Sequence, residues 1–296
     1  RDLVRSRGLG DVYKRQFHII SWIRDLESEV ENMRTEKLIF PSFLVIALLI
    51  FAFFSPMLTP FDITEQNLMT AKSPPSFPHI MGTDIYGRDM FSRVIAASRI
   101  SIFSALAVVL LMAVIGVVIG IFCGYLGGIA DTLLMRVSDI FLAFPGLVLA
   151  IATAGLFKNG VFGAIIALAS VGWPRYARLS RGLVLSTKTA TYINAAKISG
   201  SDTIQIVFTE ILPNIIGPIV VTASLDIGTS LMEMSALSFL GLGATPPTPE
   251  WGSMISESRS LLQLTPWITL SPGIAIFITV SIFNIFGESL RDYFNI

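Results

Sequence analysis

Apolar and polar stretches alternate along this chain in blocks much longer than the repeat of a soluble amphipathic helix. Apolar runs cover 38–54, 100–123, 140–157, 161–173, 215–234 and 266–286. A helix needs about 20 mostly apolar residues to cross ~30 Å of hydrocarbon. The pattern therefore predicts an all-α membrane protein with about six transmembrane helices. Pro174 and Arg175 cut the fourth run short, so a five-span reading also stands. The expected organisation is an N-terminal segment over 1–37 and a membrane domain over 38–296, with long polar connections at 55–99 and 174–213.

The connection 174–213 is more than a linker by its own pattern. Tyr192 to Ser199 reads as a short amphipathic helix stopped by Gly200, which suits the left-handed residue that closes a helix. Asp202, with Gln205 three residues on, is placed to cap the next helix. Two short helices bent at a glycine form a compact knob, with Ile193, Ala195, Ala196 and Ile198 expected to face a partner. The segment ends at Leu212 and Pro213.

Composition fixes the surroundings and excludes several functions. Hydrophobic residues make up 53% of the 296 and charged residues 14%, with a mean hydropathy of +0.71, so membrane lipid is the expected medium. Net charge is zero and no basic block interleaves with aromatics, which argues against a nucleic-acid partner. Cys123 is the single cysteine and sits in an apolar run, so neither a disulfide nor a metal site is implied. His18 and His79 lie in unrelated segments without partners at metal-ligand spacing. No Gly-Lys dipeptide occurs, hence no Walker-type phosphate loop, and Ser180 and Ser238 lack the Gly-x-Ser-x-Gly setting of a nucleophile elbow. No catalytic residue is expected.

Lysine and arginine in short loops set orientation. Arg175, Arg178, Arg181, Lys188 and Lys197 place 174–213 on the cytoplasmic side, which makes 124–136 internal, 241–265 external and both termini cytoplasmic. The external connection 55–99 then carries Lys72, Arg88, Arg93 and Arg99 against the rule, partly offset by Asp62, Glu65, Asp84 and Asp89. At the N-terminus, Met33 is an expected start with a basic flank at Arg34 and Lys37. Residues 1–32 are then an extension foreign to the native chain, or else an amphipathic surface helix over 17–30.

Inside the spans, Gly116, Gly120 and Gly124 recur every four residues, a pattern that lets helices approach closely in lipid. Pro145, Pro218 and Pro272 are expected bend points. Asp226 and Glu233 are seven positions apart on the fifth run, close to one helical face. A charge facing lipid costs at least ~2.5 kcal/mol, so both carboxylates should face protein or water. They either line a solute path or pair internally with an arginine or a polar backbone, and Glu233 also reads as a residue at the water boundary. Asp139 is expected to pair with Arg136.

Three stretches carry a resemblance. One is His79-Ile80-Met81-Gly82-Thr83-Asp84 followed by Gly87-Arg88-Asp89 and Ser92-Arg93. The second is the loop from Gly200 to Pro213. The third is Ala236-Leu237-Ser238-Phe239-Leu240-Gly241-Leu242-Gly243 with Pro246-Pro247-Thr248-Pro249-Glu250-Trp251-Gly252. Together they resemble the permease subunits of ATP-binding-cassette importers for dipeptides, oligopeptides and nickel, and in detail the second of the two permeases in such systems. The resemblance implies a cytoplasmic-membrane subunit working with a second permease, two ATP-binding subunits and an external solute-binding protein. ATP would be hydrolysed by the partner subunits, with no cofactor on this chain. It also makes Ile193, Asn194, Ala195, Ala196, Gly200, Asp202, Leu212 and Pro213 the loop that docks on the ATPase. The family motif opens Glu-Ala-Ala; here Asn194 stands at the glutamate position, which removes a charge from that contact. Asp226 stands where the family leads one to expect a small uncharged residue, whereas Glu233 falls where similar chains also carry glutamate. The rival from another class is an ion-coupled secondary transporter in which Asp226 and Glu233 bind protons or sodium near midplane.

Overall fold

The computed structural model describes residues 35–157 and 160–294. The expectations for residues 1–32 lie outside the described residues. Every regular element among the described residues is helical. Four helices are long and apolar enough to cross a membrane: α1 at Thr35–Met57, α2 at Met90–Leu126, the segment Thr203–Phe239, and α10 at Pro266–Phe294. A fifth candidate is the pair α3 (Gly128–Ala143) and α4 (Gly146–Phe157), bent by 98°.

The predicted third span is therefore broken, and its cause is local. Proline disfavours helical backbone in the residue before it, and Phe144 is extended (φ −96°, ψ 149°) ahead of Pro145. Most of the segment 124–136, expected on the internal side, is helical and belongs to α3. The fourth run belongs to α5 (Gly160–Thr187), which passes through Pro174 without stopping. The predicted loop 174–213 thus begins with about four helical turns at 3.6 residues per turn, and Arg175, Arg178 and Arg181 lie on a helix. Two short helices follow, α6 at Thr191–Ile198 and α7 at Thr203–Ile206. A π turn at Val207–Ile211 leads into α8 at Leu212–Phe239. That wide turn ends just before Pro213, whose ring and missing N–H would strain a regular α turn there.

Contacts give the helix directions. Alanine-like Cβ atoms at Gly116, Gly120 and Gly124 would strike residues around Tyr176, Ser180 and Val184 in that order, so α2 and α5 run parallel. Gly217, Gly228 and Gly287 meet Phe294, Val280 and Leu225, so α8 and α10 run antiparallel. Arg99 lies over the ring of Phe53, which brings the end of α1 beside the start of α2. Two cores result. One gathers Val184, Ile193, Ile206, Ile211 and Ile215 at the α6 end; the other gathers Val94, Met254, Ile268 and Phe283 around Trp251 at the opposite end. There α9 (Trp251–Ser258) caps the bundle.

The glycine stripe works as its spacing predicts. At Gly120 an added Cβ would lie 1.8 Å from Ser180 Oγ and 2.4 Å from the Ala177 carbonyl. Such proximity lets Lys188 Nζ donate to the Gly124 carbonyl across the two helices at 2.7 Å. Cys123 is buried on the same face of α2.

Candidate functional site

The knob formed by α6 and α7 is closed by backbone geometry. Gly200 has φ +86°, with open space where a Cβ would stand. Ser201 N donates to Ala196 O at 3.1 Å and Gly200 N to Lys197 O at 3.1 Å, the paired bonds of a glycine-terminated helix. Asp202 takes the N-cap position of α7, but its side chain makes no capping bond, so the predicted pairing with Gln205 does not form.

The apolar face of α6 divides differently from the expectation. Ile193 is fully buried in this chain's own core and Ala196 packs partly against it, so these two fasten the knob to the bundle. A short amphipathic helix beside a bundle spends its apolar stripe on that bundle first. Asn194 and Ala195 are exposed, and so are Pro213 and Asp202. Leu212 is half-buried. The apolar residues turned outward are Ile198, 89% exposed, together with Ile204 and Phe208.

A second feature is a cleft of about 160 Å³ bounded by α2, α3, α5 and α8. Met112, Phe141, Phe144 and Leu168 supply apolar wall; Arg175, Asp226, Thr229, Ser230 and Glu233 supply polar floor. Asp226 is buried and accepts from Arg175 Nη1 at 2.7 Å and from the Tyr176 hydroxyl at 2.9 Å. The two sequence alternatives for Asp226 thus coincide, because it is paired with an arginine and also lines the cleft. Glu233 lines the same cleft, half-buried, and makes no hydrogen bond or ion pair among the described residues.

Sequence reasoning missed the partners. Arg175, Arg178 and Arg181, three apart on α5, pair with Asp226, Asp139 and Asp131 respectively. Asp139 binds Arg178 at 2.5 Å, which corrects the expected pairing with Arg136. Arg181 grips Asp131 through two nitrogens at 2.6 and 2.7 Å. Arg178 and Asp139 are each 54% exposed, so that pair contributes little, whereas the bidentate pair is geometrically strong. These contacts join residues 39 to 51 positions apart, and no local spacing announces them.

At the opposite end the first and third resemblance-bearing stretches share one core, through Met90 and Trp251. Asp84 accepts from the amides of Tyr86 and Arg88 and from the Arg88 guanidinium, closing a tight turn at Gly87. Arg93, buried, lies near Asp84 and Glu257, while Arg88 Nη2 reaches Glu257 at 3.2 Å. Glu257 had no sequence signal. Asp89 caps α2 through Ser92 N and also contacts His79 Nδ1 at 2.9 Å, so His79 has a definite partner within its loop. Glu250 caps α9 by accepting from Gly252 N and Ser253 N, and Ser101 Oγ donates to it from α2. Burial pushes the Glu250 carboxyl above the ordinary carboxylate range, and the two capping amides pull it partly back. Among the described residues no group of His, Cys, Asp and Glu is arranged to hold a metal.

The chain is similar to several known proteins. Residues 116–295 match the family described as binding-protein-dependent transport system inner membrane component. The dipeptide transport system permease protein DppC of Haemophilus influenzae is 38% identical, over 84% of this chain and 86% of its own length. The glutathione transport system permease protein GsiD of Pectobacterium atrosepticum is 41% identical, over 84% of this chain and 83% of its own. Among solved structures, an inward-facing form of the MetNI methionine ABC transporter superposes with a TM-score of 0.56 at 19% identity. It covers 69% of this chain and 97% of that one, and at such identity the likeness is one of fold. The chain belongs to the family of inner-membrane permease components of binding-protein-dependent, ATP-driven importers.

Proposed function

We propose that this chain is one of two permeases in an importer for short peptides or similar small solutes. It pairs with a second permease and two ATP-binding subunits, and an external binding protein delivers the solute. The chain is not itself catalytic, and ATP is bound and hydrolysed by the partners. The names of the relatives support the peptide class. The observation that carries the coupling role is the outward-facing apolar surface of Ile198 and Ile204 on a knob closed at Gly200, with Phe208 following in the π turn. ATP-driven closure of the partner pair would move this knob, and Ile193, fixed in the core, would transmit the motion to α5 and α8. The ion-coupled reading has less support, because the Asp226 carboxylate is already engaged on both oxygens by Arg175 and Tyr176.

In this reading the α6 end is cytoplasmic and so are both termini. Ser186 and Ser260 are exposed at opposite ends of the bundle and test it. With the buried Cys123 replaced by serine, cysteine at position 186 should be shielded from impermeant thiol reagents in intact cells, while cysteine at 260 should react. Labelling of 186 and protection of 260 would invert the orientation and remove the knob from the ATPase side.

A further inference from the structure

The cleft beside α8 holds opposite charges at two heights, and the pairing within it is uneven. Arg175 uses one nitrogen on Asp226, has no other hydrogen-bond partner among the described residues, and keeps a side chain 59% exposed. A guanidinium has five N–H donors, so most of its donor capacity is still available to a second carboxylate. Asp226 is in turn held by Tyr176, which is fully buried, so the lower end of the cleft presents an arginine fixed from behind. Glu233, at the other height, is an unpaired carboxylate in a half-buried, largely apolar setting. Between them the hydroxyls of Thr229 and Ser230 face the same space.

We propose that this cleft is a two-ended subsite for zwitterionic solutes, with Arg175 taking a terminal carboxylate and Glu233 a terminal ammonium. Asp226 is a positioning residue that aims Arg175. The proposal rests on the importer reading above and assigns its path residues. Spacing sets the solute length. Asp226, which holds Arg175, and Glu233 are seven positions apart on α8, about 10 Å of helix rise, and a peptide of two or three residues extends roughly 7–10 Å. The aromatic rings of Phe141 and Phe144 on the wall suit the apolar side chains between the ends and add cation–π attraction for an ammonium.

The test uses the complete importer in lipid nanodiscs without its binding protein, so that the binding protein's own preference does not enter. Saturation-transfer NMR at millimolar solute compares trialanine with its N-acetylated and C-amidated forms. Glu233→Gln should weaken trialanine and the amide about tenfold, as loss of one charged contact of about 1.4 kcal/mol requires, and leave the N-acetyl form unchanged. Arg175→Gln should do the reverse, weakening trialanine and the N-acetyl form while sparing the amide, and Arg175→Lys should restore part of the loss. If Arg175→Gln fails to assemble, Glu233→Gln decides alone. Equal binding of all three forms by both variants, or no transfer to any form on the unmodified importer, overturns the subsite. ATP-driven uptake of trialanine by the unmodified importer is measured in parallel with binding protein present. Its presence alongside a negative binding result sinks only this assignment, and its absence sinks the peptide-importer reading itself.

Discussion

Gly120→Val should abolish assembly of the permease. The glycine backbone of α2 lies so near α5 that even a methyl group would stand 1.8 Å from Ser180 Oγ and 2.4 Å from the Ala177 carbonyl, with Arg181 N at 2.9 Å. Two of those three atoms are backbone, so no rotamer change relieves the clash and the helices must separate. Overpacking in a core commonly costs 1–3 kcal/mol. Here separation would also open the contacts at Gly116 and Gly124 and pull Lys188 from the Gly124 carbonyl. Such a sum is a large share of the roughly 5–15 kcal/mol by which proteins are stable. The measurement is the yield of folded protein in detergent after membrane extraction and its thermal midpoint. Gly182→Val is the control, because no atom lies within 4 Å of its Cβ position and it sits inside α5 without a left-handed backbone. Loss of folded protein for Gly120→Val, with a milder effect for Gly182→Val, supports the account; near-equal stability of Gly120→Val and the unmodified chain would contradict the close approach.

Ile198→Glu should leave the bundle intact and uncouple it from ATP hydrolysis. Ile198 is 89% exposed, so the change breaks no internal contact. Placed in an apolar contact with an ATP-binding subunit, the new carboxylate would be desolvated without a partner. Truncating or spoiling a central interface residue costs about 2–4 kcal/mol, or roughly a hundredfold in partner affinity. Gly200→Val should act in the same direction for a different reason, since its φ of +86° is a left-handed conformation that costs a β-branched residue about 1–2 kcal/mol. Ala196 is not a clean probe, because it packs partly against this chain's own core. Co-purification of the ATPase and solute-stimulated hydrolysis should both fall for Ile198→Glu with membrane insertion unchanged. Retention of both would leave the knob as a plain connector.

The long apolar helices were readable because lipid imposes a length requirement that composition alone reveals. The α3–α4 pair was not, for a physical reason. Residues 128–139 carry Asp131, Arg136 and Asp139 and look like a polar connection, yet both acids are neutralised by arginines from α5. Pro145 marked a bend, but a bend of 98° depends on how the flanking helices pack. The knob's closure at Gly200 was legible from one residue, since the left-handed region selects glycine. Which side of α6 meets the bundle was not, because a single apolar stripe fits its own core and a partner equally well, and Ile193 proved to belong to the former. Asp226 and Glu233 were visible as charges out of place in an apolar run. Their surroundings were hidden, because Arg175 and Tyr176 lie 50 or more positions away in sequence.

The central claim is that this chain moves solute with energy from ATP hydrolysed by its partners. It is tested most directly by sealing the complete importer in liposomes, with binding protein and a labelled tripeptide on the outer side of the permease and ATP on the side of the α6 knob. Accumulation of the peptide should require ATP, stop when hydrolysis is blocked, and continue when ionophores collapse proton and sodium gradients. Accumulation that persists without ATP and disappears with the ionophore would contradict the account and turn attention back to Asp226 and Glu233 as ion-binding groups.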